Sequence, residues 1–83
     1  MIETLITKMK TIMDKAMTDY ERDDIKLVCK LAFIEERKGA FWAYYDVLYA
    51  LDKDKALEIL RENQSNLNKL NSIYWKALIS KGV

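Results

Sequence analysis

The absence of proline, together with a glycine count of two, is the feature that most restricts what this chain can fold into. Proline removes a backbone donor and clashes inside a helix, so a chain without it contains nothing that forces a helix to break. Tight turns depend on glycine and proline, and a sheet protein needs many such turns. The sequence therefore predicts an all-α fold.

The length of the chain, 83 residues, predicts a single helical domain over residues 1–83 with a small core. A hydrophobic fraction of 51% and a charged fraction of 33% are typical of a globular protein rather than a disordered one. Lysine, isoleucine, asparagine and tyrosine are frequent, as AT-rich codons would produce. The composition thus indicates a bacterial or phage source.

The first segment has apolar residues at spacings of three and four, which predicts an amphipathic helix of about 16 residues. These residues are Ile2, Leu5, Ile6, Met9, Ile12, Met13, Ala16 and Met17. The pattern fades at Thr18, where the sequence TDYERDD begins. Because acids favour the first turn of a helix, we interpret Asp19, Glu21, Asp23 and Asp24 as a connection that caps the next helix.

The second segment contains a heptad seam with one polar member. The seam runs Leu27, Leu31, Ile34, Lys38, Phe41, Tyr45 and Leu48. Gly39 has two interpretations, since Lys-Gly is also the expected end of a helix. A true break would normally reset the phase, and the seam crosses Gly39 in phase. We therefore predict one helix from about Glu21 to about Leu51, with a kink at Gly39 as an option.

The third segment begins after LDKD, where Asp52 or Asp54 can cap a helix. Its apolar positions are Ala56, Leu57, Leu60, Leu67, Leu70, Ile73, Tyr74, Ala77 and Leu78. The polar stretch RENQSN is either a solvated part of this helix, with Asn63 facing inward, or a break at which Ser65 caps a fourth helix. The seven-residue spacing of Leu60, Leu67 and Tyr74 favours one helix. The predicted fold is a small antiparallel bundle of three helices, or four, that self-associates.

Catalytic chemistry has few candidates in this sequence. Histidine is absent, which removes the commonest general base and metal ligand. Cys29, within IKLVCKLAFI, is interpreted as a small buried hydrophobe. Asp52 and Asp54 resemble the start of a calcium loop, but Leu57 stands at its glycine position and Asn63 at its glutamate position. We expect no enzymatic activity, no metal site and no cofactor.

The net charge and the lengths of the apolar runs indicate where the protein is located and whether it binds nucleic acid. The N-terminal stretch lacks the features of a signal peptide, and the longest apolar run, AFWAYY, is too short to span a membrane. We expect a cytoplasmic protein. The net charge of +1 supplies no general attraction to nucleic acid. A helix-turn-helix with its turn at Gly39 would place Glu35 where a small residue is needed. Its second helix would contact bases through FWAYYDVLY, which has no arginine, asparagine or glutamine. Nucleic acid is therefore an unlikely partner, and a dimeric DNA-binding regulator is kept as the alternative function.

The stretch FWAYYDVLY, residues 41–49, contains five of the nine aromatic residues. On a helix, Phe41, Tyr44 and Tyr45 share one face, and Trp42 and Tyr49 form a second ridge beside it. The stretch is either the middle of a core or an interface with another chain. A first helix of about 24 Å would cover only half of a second helix of about 45 Å, which favours an interface.

From these patterns we predict a non-enzymatic interaction module that acts as an adaptor, inhibitor or regulator of a larger protein. Its partner is another protein, a second copy of itself, or both. A structural subunit of an assembly is a further alternative. The predicted partner-binding residues are Trp42, Tyr45, Tyr49 and Trp75.

Overall fold

Three helices make up the protein. The computed structural model describes residues 1–80, and the side chains of all of these except Tyr74, Ala77, Leu78 and Ser80. The helices are α1 (Ile2–Glu21), α2 (Leu27–Leu51) and α3 (Lys53–Ser80), and residues 1–80 contain no strand. The predicted all-α bundle is confirmed with three helices, whereas its antiparallel arrangement and its self-association stay predictions.

The boundary between α1 and α2 differs from the predicted one. α1 continues to Glu21, although its apolar spacing ends near Thr18. α2 begins at Leu27 rather than at Glu21. α1 has 20 residues and α2 has 25, so they are about 30 Å and about 38 Å long. The expectation that the first helix covers only half of the second is therefore wrong.

The acids around residues 19–24 do not cap α2, which contradicts the prediction. Lys26 precedes α2 without a side-chain cap. Asp19 lies inside α1, is 8% exposed, and accepts a hydrogen bond from Arg37 Nε at 3.5 Å. Asp24 accepts hydrogen bonds from Arg22, and that guanidinium lowers the pKa of Asp24 to about 2. These carboxylates therefore pair with arginines and do not cap α2.

Both predictions of helix continuity are confirmed. α2 runs through Gly39 without a break, and α3 runs through Ser65. Asn63, in the polar stretch, is partly buried and donates from Nδ2 to the carbonyl oxygen of Ile59 at 2.8 Å. At the start of α3, the Asp52 carboxylate accepts from the Lys55 amide at 3.1 Å, as predicted for a cap.

The core is formed by one stripe from each helix. α1 contributes Leu5, Met9, Met13 and Ala16; α2 contributes Ile34, Phe41 and Leu48; α3 contributes Ala56, Ile59, Leu67, Leu70 and Ile73. The predicted apolar faces of α1 and α2 are confirmed. In α3, the prediction named Leu60 and omitted Ile59. The structure buries Ile59 in the core and leaves Leu60 only partly buried. The predicted core positions Tyr74, Ala77 and Leu78 lie outside the described side chains.

The helices lie side by side. The molecule is 44 Å long, barely more than the roughly 42 Å of α3 alone. Lys30 Nζ at the start of α2 donates to the carbonyl oxygen of Tyr20 at the end of α1, at 3.0 Å. Lys8 Nζ, near the start of α1, lies 5.7 Å from the ring centroid of Tyr44, in the second half of α2. α1 therefore contacts α2 near both of its ends.

Candidate protein-interaction surface

The two sides of α2 are both apolar, but the other helices cover only one of them. Phe41 and Leu48 on the inner side are 0% exposed. Trp42 and Tyr49 lie about 100° and 80° around the helix from Phe41, and they are 38% and 41% exposed. Packing against α1 and α3 therefore leaves the second aromatic ridge in contact with solvent.

The aromatic rings of α2 form a continuous row that links the core to the surface. The rings of Phe41 and Trp42 meet edge to face at 5.5 Å between centroids, and those of Trp42 and Tyr45 do so at 5.2 Å. Tyr45 is partly buried against the core, and its ring lies 6.0 Å from that of Tyr49. Because Phe41 is fixed in the core, the exposed rings are held in place before any partner arrives.

We call the exposed side of this helix the outer face of α2. It consists of Ala32, Phe33, Glu35, Glu36, Gly39, Trp42, Ala43, Asp46, Val47, Tyr49, Ala50 and Leu51. Between Gly39 and Leu51, Asp46 is the sole residue of this face with a formal charge. An ordinary surface helix has an apolar stripe a little over about 100° wide and a polar opposite side. The second half of α2 has no such polar side.

A furrow of small residues runs along the middle of the outer face, with apolar ridges on both sides. The furrow comprises Ala32, Gly39, Ala43 and Ala50, all exposed. Trp42 and Tyr49 form one ridge, and Val47 and Leu51, which are 47% and 50% exposed, form the other. A Cβ atom built on Gly39 would meet no heavy atom within 4 Å, so the furrow is open. Small residues allow the backbone of another helix to approach closely.

The charges of α2 are divided between its two sides. Arg37 pairs with Asp19 of α1, and Lys30 donates to the Tyr20 carbonyl oxygen. Lys38 Nζ bonds to Glu35 at 3.1 Å. Glu36 and Asp46 are exposed and form no ion pair within the described residues. The cations of α2 thus all have partners within the protein. The charged residues on the outer face of α2 are all acidic.

Trp75, the remaining predicted site residue, lies apart from this row. It is 69% exposed and has no ring contact among the described side chains. Trp75 is about 35 Å along α3 from the Asp52 turn, whereas Trp42 is about 15 Å along α2 from the same turn. Because these helices lie side by side, about 20 Å separates the two tryptophans along the bundle. The structure brings together Trp42, Tyr45 and Tyr49 but does not bring Trp75 to them.

Cys29 is exposed, so its interpretation as a buried hydrophobe is wrong. It lies twelve positions before Phe41, a rotation of about 120° from the core direction. Its neighbour Val28 is also exposed, at 68%. The apolar run around Cys29 obscured this placement, since nearly every residue in it is apolar whichever way it faces.

Other parts of the described chain offer weaker sites. An open groove of about 260 Å³ between α1 and α3 is lined by residues that include Ile6, Met13 and Ile59. Ligand pockets usually begin at about 300 Å³ and are lined mostly by apolar side chains. A larger but shallower groove of about 370 Å³ has a polar and charged lining, formed by Thr11, Asp14, Lys15, Thr18, Asp19 and Arg37. Among the described residues, no group of three or more His, Cys, Asp or Glu side chains could hold a metal ion. None of the helices, as far as they are described, is both long and apolar enough to cross a membrane.

Comparison of the chain with models of protein families, with curated proteins and with solved structures finds no match. The functional assignment therefore depends on the chemistry of the surface itself, and the outer face of α2 is the most distinctive part of that surface.

The small-residue furrow is the part of this surface that the sequence analysis missed. Ala32, Gly39, Ala43 and Ala50 are spaced seven, four and seven residues apart, which is a second seam opposite the core seam. Searching both sides of the helix for heptad spacing would have found it. The sequence analysis identified the ridge of Trp42 and Tyr49 but not the small residues beside it.

Proposed function

We propose that the protein is a small non-enzymatic interaction module, an adaptor, inhibitor or regulator of a larger protein, that binds through the outer face of α2. The observation that supports this proposal is the apolar character of α2 on all sides between Gly39 and Leu51, although its own bundle covers one side. A helix that is hydrophobic all round is normally buried all round. Exposed apolar patches rimmed by polar residues mark interaction sites.

The aromatic residues are suited to anchor such a contact. An aromatic side chain buries about 150–250 Å². Phe33, Trp42 and Tyr49 are 42%, 38% and 41% exposed, so together they offer about 240 Å². A standard interface buries about 800 Å² per partner, and the rest of the outer face contributes further area. Trp42 and Tyr49 are the proposed anchors, and Tyr45 supports the Trp42 ring from below.

We place the module in the cytoplasm because a single cysteine is typical of proteins in reducing compartments. Trp75 stays a proposed partner-binding residue, but its distance from Trp42 would assign it to a separate contact. The alternative of a structural subunit uses the same surface and differs in the identity of the partner.

Duplex DNA is the alternative partner, and no observation on the described residues favours it. Glu36 and Asp46 on the outer face would repel phosphates. We expect weak or undetectable binding to duplex DNA in a fluorescence anisotropy titration at several salt concentrations. A submicromolar affinity that falls steeply with salt would contradict this expectation and support a DNA-binding regulator.

The proposal is tested by affinity purification from the native host, with the full chain as bait. Wild-type protein and Thr7→Ala should recover the same partner, because Thr7 is exposed on α1 and lies outside the outer face. Trp42→Ala and Tyr49→Ala should each lose it, since an interface anchor typically contributes about 2 kcal/mol or more.

Recovery of the partner by all four baits would overturn the proposal, provided that each is folded by circular dichroism. Sedimentation of the purified wild-type chain at micromolar concentration determines in parallel whether a second copy occupies the surface.

A further inference from the structure

The charges on the outer face of α2 restrict which helix can occupy it. Glu36 and Asp46 are ten positions apart, or about 15 Å along the axis. They lie on opposite sides of the small-residue furrow, each about 40° from its centre. A helix that lies in the furrow would therefore pass close to both carboxylates.

A second copy of this chain is a poor match for these two carboxylates. In a parallel pair of α2 helices, Glu36 would face Glu36 and Asp46 would face Asp46. In an antiparallel pair centred on Ala43, Glu36 would face Ala50 and Asp46 would face Ala40. A shifted antiparallel pair could bring Lys53 towards Glu36, but Asp46 would still face small residues. Burying a carboxylate without a cation is unfavourable.

The cations close to α2 do not alter this result. Arg37 is paired with Asp19, Lys30 donates to the Tyr20 carbonyl oxygen, and Lys38 bonds to Glu35. Lys53 lies over the ring of Tyr49, 5.9 Å from its centroid, and between Asp52 and Asp54 in sequence. The cations that would pair with Glu36 and Asp46 must come from the partner.

We propose that the outer face of α2 binds an amphipathic helix of a different protein, with two lysine or arginine residues ten positions apart on opposite edges of an apolar stripe. This inference rests on the proposed function and specifies the partner. The furrow receives the partner's apolar stripe, Trp42 and Tyr49 enclose it on one side, Val47 and Leu51 enclose it on the other, and the two carboxylates fix its register.

The test is selection from a displayed library of single helices, about 21 residues or roughly 30 Å long, with a fixed apolar stripe. All flanking positions vary among lysine, glutamate, glutamine and alanine. The library is selected on the wild-type chain and on the charge-reversed Glu36→Lys/Asp46→Lys chain. We expect the wild type to enrich two lysines ten positions apart and the reversed chain to enrich glutamates there.

A wild-type-selected peptide is then synthesised and titrated by fluorescence anisotropy. Glu36→Gln and Asp46→Asn should each weaken its binding about tenfold, the effect of losing one close charge pair. Both residues are exposed, so the variants should melt at the wild-type temperature. Glu58→Gln, on α3, is the matched control and should leave binding unchanged.

Two kinds of failure are distinguishable. Enriched helices that need Trp42 but lack the basic pair would overturn this inference and leave the proposed function intact. Failure to enrich any helix that depends on Trp42 would overturn both. A wild-type homodimer that Val47→Lys dissociates would show that a second copy occupies the face, and would also overturn the inference.

Discussion

The inner and outer sides of α2 have similar apolar content but different surroundings. On the inner side, Ile34, Phe41 and Leu48 are 0% exposed and contact α1 and α3. On the outer side, Trp42, Val47 and Leu51 are 38% to 50% exposed. Folding of the isolated chain explains the inner residues, because burial of apolar area stabilises the bundle. It does not explain the outer residues, for which we propose a role in binding.

The largest expected effect of a substitution concerns the inner side. Phe41→Ala removes a fully buried ring and should lower the free energy of unfolding by about 3–5 kcal/mol. This is a large share of what so small a domain has, so the variant should be partly unfolded at 25 °C. Urea denaturation followed by circular dichroism measures the loss. A loss no larger than that of Trp42→Ala would mean that the inner and outer sides do not differ as the structure indicates.

An intermediate effect of opposite sign is expected at the furrow. Gly39→Ala should raise the free energy of unfolding by about 1 kcal/mol, because alanine is a better helix former and its Cβ meets no atom within 4 Å. Thermal melting of the purified protein measures this gain. A loss of stability would contradict a solvent-exposed Gly39 and would indicate that another chain already packs there.

The smallest effect is expected on the outer ridge. Val47→Lys replaces an exposed side chain and should change the free energy of unfolding by no more than about 0.5 kcal/mol. Denaturant titration beside Val47→Ala, as a control for loss of bulk alone, measures it. A destabilisation of several kcal/mol in both variants would place Val47 in a covered position and remove it from the proposed interface.

Much of the fold follows from hydrophobic periodicity. The seam from Leu27 to Leu48 predicted the buried side of α2 and its passage through Gly39, since in-phase apolar spacing outweighs the weak tendency of one glycine to end a helix. The boundary near residues 18–26 was less predictable. Asp19 there is held by Arg37, eighteen positions away, and a contact at that sequence distance has no local signature.

The candidate site was only partly predictable. Helical spacing placed Trp42 and Tyr49 on a second ridge, and both are more exposed than Phe41. Cys29 was misplaced because almost every residue near it is apolar, so composition gives no direction. Trp75 does not lie beside Trp42, and hydrophobic periodicity could not have shown this. The relative position of two residues on different helices depends on where the connecting turn lies.

The turn between α2 and α3 consists of a single residue, Asp52. Its amide donates to the Leu48 carbonyl oxygen at 2.7 Å, and its own carbonyl oxygen accepts from the Ala56 amide at 3.0 Å. Such a short connection costs little entropy to close, and local contacts favour rapid folding. We expect the α2–α3 hairpin to form before α1 joins it from the longer connection. In this order of folding, α2 forms early together with α3, and α1 then covers the side of α2 opposite its outer face.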